Sequence, residues 1–218
     1  MNDLGMGAAQ GVDEETEWGH DGGWASPTRL PMIVNDEVAE ISARFGTPVQ
    51  RQFCIQADDY IYAYRFNQNA DRRAEVVFAI EDAGGQFWVH TKLHYPQHIF
   101  RLPTGGVHCN ELVIDGLLRE VKEETGIPVE IVRFLGIIEY QFTYGNAVAP
   151  FASYVFHLRS QCVACPAPPQ GEPISEFRAV STLQLQQLAG ELRGLVGKRR
   201  AWGQWRALAH DFVYETLM

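Results

Sequence analysis

Cysteine is scarce in this chain: there are four in 218 residues, and Cys54, Cys109, Cys162 and Cys165 are scattered rather than set in a dense framework. That excludes a small secreted scaffold held by disulfides. Cys162 and Cys165 form a lone C-x-x-C before a proline-rich loop. They have neither a second ligand pair for zinc nor a thioredoxin-like context, and the pair carries no assigned role. Basic charge is short as well. Eighteen Lys and Arg stand against 27 Asp and Glu, a net charge of −9, which argues against nonspecific nucleic-acid binding and against an anionic membrane surface. No apolar run approaches the roughly 20 residues of a membrane span. The N-terminus is acidic and glycine-rich without the apolar stretch of a signal peptide. These absences point to a cytoplasmic protein, and no internal repeat is visible.

What is present fits a compact enzyme. Hydrophobic residues make up 46% and charged residues 21%, ordinary for a globular chain with room for a sizeable core. Residues 1–30 are polar, glycine-rich and without periodicity, expected to be a mobile tail. Residues 31–71 are expected to form an N-terminal extension or a homodimer contact. Asn35-Asp36 opens a short helix through Phe45, with Val38, Ile41 and Phe45 on one face. Two strand-like runs follow, Arg51 to Gln56 and Tyr60 to Phe66, the second alternating with period two. Residues 72–218 are expected to form the catalytic domain. Strands are predicted at Ala74 to Ile80, Gln86 to Leu93, Val129 to Phe142 and Ala152 to Leu158. Helices are predicted at Thr182 to Val196 and Arg199 to Leu217.

The densest chemistry lies between Gly105 and Ile127. At about 100° per residue, Glu123 and Glu124 fall about −60° and +40° from Glu120, so three carboxylates share one helical face. Ile114, Leu117, Leu118 and Val121 make a neighbouring apolar stripe that would anchor the helix. Asn110 suits its N-cap, Glu111 its first turn, and Gly126 with Pro128 its stop. A solvated acidic face is the plain alternative. Against it, Glu120 and Glu124 stand at i and i+4, where like charges repel. A hard divalent cation would relieve that repulsion, and Mg2+ is commonly held by a few carboxylates together with substrate phosphates.

This segment resembles the signature of the Nudix hydrolases. Five residues separate Gly105 from Glu111 and seven separate Glu111 from Arg119, and Glu120, Val121, Glu123, Glu124, Gly126 and Ile127 complete the pattern. The lead-in from Phe100 to Gly105 is also similar, departing in Phe100 where Trp is common and in Thr104 in place of the first Gly. The resemblance extends from about residue 72 to about residue 190 and implies an α+β Nudix fold, a mixed β-sheet sandwiched between α-helices. It implies a pyrophosphohydrolase that cleaves a nucleoside diphosphate linked to another moiety. It further implies Mg2+ or Mn2+ held by Glu120, Glu123 and Glu124 with the Gly105 carbonyl, and Arg119 orienting the carboxylates beside it. The general base is a signature Glu, such as Glu123 or Glu124, or one of Glu139, Glu172 and Glu176.

The competing classes are a Nudix-like module that senses a nucleotide without cleaving it, and a structural interaction protein. The first would be expected to lose a metal Glu, and the second leaves the clustered acids unexplained. Substrate contacts are expected from Lys92 and Arg101, with His90, His94 and His98 nearby; for any one of Lys92 and the histidines an ordinary surface or structural role is the plainer reading. Trp202, Trp205, Ala209, Phe212 and Val213 recur at helical spacing, so a packed face explains them better than a nucleic-acid patch built on Lys198, Arg199 and Arg200. In related enzymes a Pro after the signature accompanies ADP-ribose specificity, and a Tyr slightly further on accompanies dinucleoside polyphosphates. Phe142 and Thr143 occupy the Pro region here and Tyr144 the Tyr position. Tyr144 is therefore the candidate base-stacking residue, beside a plain reading as a strand-end aromatic.

Overall fold

Strand β2 (Arg72–Glu81) is buried along almost its whole length and carries both faces of the molecule. Its side chains alternate with period two. Val76, Phe78 and Ile80 enter one apolar cluster, and Val77 and Ala79 enter the other. The computed structural model describes residues 30–66, 71–160, 166–167 and 171–218. The tail expectation for residues 1–30 falls almost wholly outside these residues, as does the Cys162–Cys165 pair.

The remaining strands are β1 (Val49–Gln56), β3 (Phe87–Lys92), β4 (Thr104–His108), β5 (Glu130–Tyr144), β6 (Ala147–Arg159) and β7 (Ile174–Val180). They form a seven-stranded sheet of order β1-β5-β6-β2-β3-β7, with β4 pairing β2 off that path. The sheet is mixed, as the α+β expectation requires: β1 runs parallel to β5 and β2 parallel to β6, and the other pairs are antiparallel. One face is covered by α1 (Asn35–Phe45) and α3 (Val113–Thr125). The other is covered by α2 (Asp59–Phe66), α4 (Thr182–Arg193) and α5 (Arg200–Leu217). Among the described residues no helix is long and apolar enough to cross a membrane.

Two expectations about residues 31–71 change. Tyr60 to Phe66 is helical, not a strand. The period-two alternation is overridden because Asp58 Oδ1 accepts the Ile61 N–H (3.0 Å) and starts a helix, which buries Ile61 against the sheet. The strand around Arg51 does form, and it lies in the sheet itself as the edge partner of β5 rather than in a separate layer. The helices at the C-terminus form as expected, with Trp202, Trp205, Ala209, Phe212 and Val213 all buried. Ser181 and Gln184 close a reciprocal capping box at the start of α4, which satisfies two backbone donors left free at a helix N-terminus.

Candidate active site

Helix α3 is held at both ends by residues that fix where its acids point. At the C-terminal end Gly126 takes a left-handed conformation (φ 66°) and returns its N–H to Lys122 O, the usual glycine stop. At the other end the expectation fails: the helix starts at Val113, beyond Asn110, and no local side chain caps it. Glu37 of α1 does so from a distance, its Oε1 accepting the Val113 N–H at 2.6 Å, while Arg73 holds the same carboxylate at 2.7 Å. The predicted apolar stripe anchors the helix through Leu117 and Val121, whereas Leu118 is exposed.

Gly105 is required for space. A Cβ at this position would collide with Cγ and Cδ of Glu120, so the bare backbone of β4 is what lets that carboxylate lie flat against it. Glu120 Oε1 accepts the Gly106 N–H at 2.8 Å. Arg119 then ties the acids together. Its Nε and Nη2 donate to the two oxygens of Glu111 (2.8 and 2.9 Å), its Nη1 to Glu120 (2.9 Å) and Glu123 (3.0 Å), and its Nη2 also to Gly106 O (2.7 Å). Burial alone would raise the Glu111 pKa, but the bonds from Arg119 and from the His108 N–H outweigh it and hold the carboxyl below its usual range. Thr104, in the place of the first signature glycine, begins β4 in register with Val77 and accepts from Arg101 Nη1 at 2.9 Å.

Glu124 differs from its neighbours. It is 3% exposed, and desolvation pushes its pKa up against the pull of Lys92 and Arg101. Lys92 Nζ reaches its Oε1 at 2.7 Å, while its Oε2 is buried without a hydrogen-bond partner.

Glu120, Glu123, Glu124, Gly105 and Arg119 line one cavity of about 420 Å³ together with Lys92 and Arg101. The expected residues are thus brought together, with two exceptions. Glu139 lies on β5 and accepts from Gln52 Nε2 (3.2 Å), lining a separate hollow beside β1. Tyr144 is bonded to Asp59 Oδ1 (2.7 Å) and stacked on Tyr62 at 4.3 Å, and it does not line the signature cavity. Of the other carboxylates weighed as a base, Glu172 lines the cavity and Glu176 does not. His94 lines it too. His90 is fully buried, and burial drives its pKa well below the usual value, so it is a neutral core residue. Sequence reasoning missed Arg72, Tyr60, Tyr64 and Tyr95 as lining residues. The i, i+4 spacing of Tyr60 and Tyr64 was the available signal, hidden by the strand-like alternation around it.

The donor set suits a hard divalent cation: carboxylate oxygens, a backbone carbonyl at Gly105, and one buried carboxylate oxygen in want of a partner. Among the described residues no three acids, histidines or cysteines are already gathered about a single point. The carboxylates are instead neutralised separately by Arg119 and Lys92.

The family model for the NUDIX domain matches residues 71–203, more than half of the chain. The chain belongs to the Nudix family. Nudix enzymes are pyrophosphohydrolases and generally need divalent metal ions, in keeping with the acids just described. Three solved structures similar to this Nudix chain illustrate the spread. The Escherichia coli dihydroneopterin triphosphate pyrophosphohydrolase shares 13% identity at a TM-score of 0.45, over 66% of this chain and 96% of its own. The MutT protein of Methanosarcina mazei shares 20% at 0.43, over 66% and 91%. An ADP-ribose pyrophosphatase of Streptococcus suis shares 16% at 0.40, over 65% and 89%. No curated protein matches the sequence.

Proposed function

We propose that this Nudix enzyme hydrolyses a nucleoside diphosphate linked to another moiety, with Mg2+ or Mn2+ held by Glu120, Glu123, Glu124 and the Gly105 carbonyl. The observation that carries the reading is a single cavity lined both by these acids and by Arg72, Lys92 and Arg101. Acids alone would repel a diphosphate, and bases alone would give no cation site. When bound, the metal would neutralise charge on the diphosphate and lower the pKa of a coordinated water.

The side chains divide the remaining work. Arg119 keeps Glu111, Glu120 and Glu123 in place through charge-assisted bonds. Lys92, paired here with Glu124, stands with Arg101 and Arg72 on the cavity wall, where their positive charge would receive phosphate oxygens. A bond forms between the water oxygen and one phosphorus, and the bridging P–O bond breaks, giving two phosphorylated products. The proton of that water passes to a signature glutamate or to Glu172, the one candidate outside the signature that lines the cavity. A dinucleoside polyphosphate preference resting on Tyr144 has no support from its position. The intact acid set favours catalysis over nucleotide sensing.

The test is Glu124→Gln, assayed on a panel of nucleoside diphosphate derivatives with and without Mg2+ or Mn2+. Metal-dependent hydrolysis by the wild type should fall by about 100-fold or more, as when a group essential to charge stabilisation is removed. The melting temperature should stay within a few degrees, because the variant removes a buried charge rather than volume. Hydrolysis by Glu124→Gln at the wild-type rate would overturn the assignment.

A further inference from the structure

The cavity that holds the acids and bases has a third kind of lining. Tyr60 and Tyr64 of α2, Tyr95 after β3, and Trp202 of α5 all face into it. Three of these four rings are only partly buried, unlike the enclosed aromatics of the core. Tyr60 and Tyr64 lie nearly parallel (4°, centroids 6.4 Å apart), and Tyr95 meets Trp202 at 5.0 Å. Helix α2 ends before residue 71, where the match to the NUDIX domain begins.

Two polar side chains hold these rings in place. Asp58 uses both carboxylate oxygens as caps: Oδ1 takes the Ile61 N–H of α2 and Oδ2 the Ala201 N–H of α5, each at 3.0 Å. One side chain thereby fixes the helix of Tyr60 against the helix of Trp202. Arg199 adds a second clamp, its guanidinium carbon 4.1 Å from the Tyr60 ring centre and 5.5 Å from that of Trp202, while it donates to His94 O at 2.9 Å.

We propose that this aromatic wall is the nucleobase subsite, so that base identity is read by α2 and α5 rather than by Tyr144. The inference rests on the reading of the acid cluster as a diphosphate-cleaving site, and it extends that reading to the other end of the substrate. A flat base stacks on the tyrosines, and its ribose leads to the phosphate-binding Arg101 and Lys92. Arg199 reinforces the wall through its cation–π contacts. Asp58 is a positioning residue.

The experiment uses the full-length protein in EDTA, titrated calorimetrically with AMP and with ribose 5-phosphate, which share a phosphate and differ in the base. The wild type should bind AMP about 10-fold or more tightly than ribose 5-phosphate, the scale of one base stacked on an aromatic side chain. Tyr60→Leu and Tyr64→Leu should each remove most of that ratio and leave ribose 5-phosphate binding unchanged, while Tyr60→Phe should retain it. Asp58→Asn should raise KM for the best panel substrate with little change in kcat. Equal binding of the two ligands by the wild type would overturn the inference, and so would a ratio untouched by both leucine variants. Metal-dependent hydrolysis alongside equal binding would sink the wall and leave the hydrolase. A base-dependent ratio in a protein that hydrolyses no diphosphate would do the reverse.

Discussion

Arg119 gives five hydrogen bonds to three glutamates and a carbonyl from the wall of the cavity, where its side chain is 28% exposed. Arg206, 8% exposed, directs Nη1 to the two oxygens of the single Glu75 at 3.0 and 2.9 Å. Glu75 in turn accepts from Ser153 Oγ at 2.6 Å, and that hydroxyl also meets Tyr140 Oη. The two clusters differ in what water can replace. Around Arg119, solvent or an incoming cation can take over a carboxylate oxygen, so the pairs are exchangeable. Arg206 and Glu75 also line the cavity, but each side chain is only 8% exposed, so little water reaches the pair, and their attraction with the bond from Ser153 must offset most of the desolvation. The more exposed cluster is suited to chemistry and the more buried one to holding β2 against α5.

The sharpest way to break this contrast is to remove one partner from the more buried pair. Arg206→Met strands the Glu75 carboxylate in the interior and should cost about 3–5 kcal/mol in urea denaturation. The double change Glu75→Leu with Arg206→Met should recover much of that loss, because no unpaired charge remains. A single variant as stable as wild type would show that cavity water solvates Glu75 once its partner is gone.

The more buried side should also carry a pH signature of its own. His210 Nε2 accepts the Leu102 N–H at 3.0 Å, and its Nδ1 lies 2.9 Å from Arg206 O. Only the neutral ring with its proton on Nδ1 satisfies both. Burial, with Arg101, Arg206 and Arg193 nearby, lowers its pKa to about 4, against the one opposing pull of the Arg206 carbonyl. The unfolded chain takes up this proton near pH 6.5 and the folded one near 4. Between those values the unfolded state binds more protons, so this contribution is complete above the higher value and is lost as pH falls toward the lower. The whole amounts to roughly 3 kcal/mol, about 2 of it between pH 7 and pH 5. His210→Leu should flatten the denaturation midpoint over that range, and an unchanged pH slope would contradict the neutral assignment.

On the exposed side the smallest stability change should accompany a clear functional one. Arg119→Lys keeps the charge and loses the planar fork that spans Glu111, Glu120 and Glu123. Its stability cost should be about 1 kcal/mol or less. The Mg2+ concentration for half-maximal activity should rise about 10–100-fold, the scale for losing a group that orients metal ligands. An unchanged Mg2+ requirement would mean that the acids orient themselves.

The same contrast explains what could be read from the chain alone. The acids of α3 and their link to Arg119 lie within a few residues of one another, so helical geometry places them before any tertiary contact is known. Strands β2, β3, β5 and β6 announced themselves by long apolar runs, and Gly126 marked the helix stop. The more buried cluster gave no such signal, since Arg206 and Glu75 are 131 positions apart. Strands β4 and β7 were not anticipated, the first overlying the signature glycines and the second short and half exposed. Tyr144 and Glu139 were proposed from position along the chain, and β5 turns both away from the cavity. Glu37 could not have been foreseen as the cap of α3, because Asn110 offered a local solution that the backbone does not use.

The shared cap at Asp58 has a consequence for how the molecule is made. The two backbone donors it caps belong to segments far apart in the chain, and 143 positions separate Asp58 from Ala201. During synthesis α2 and the acids of α3 emerge long before α5, and closing so distant a contact carries the entropy of a very large loop. The ring of Trp202 reaches Tyr95 and its place beside Tyr60 only when the final helix docks. Under the proposed reading, the aromatic wall is completed only when α5 has docked, after Arg72, Lys92, Arg101 and the acids of α3 have already been made.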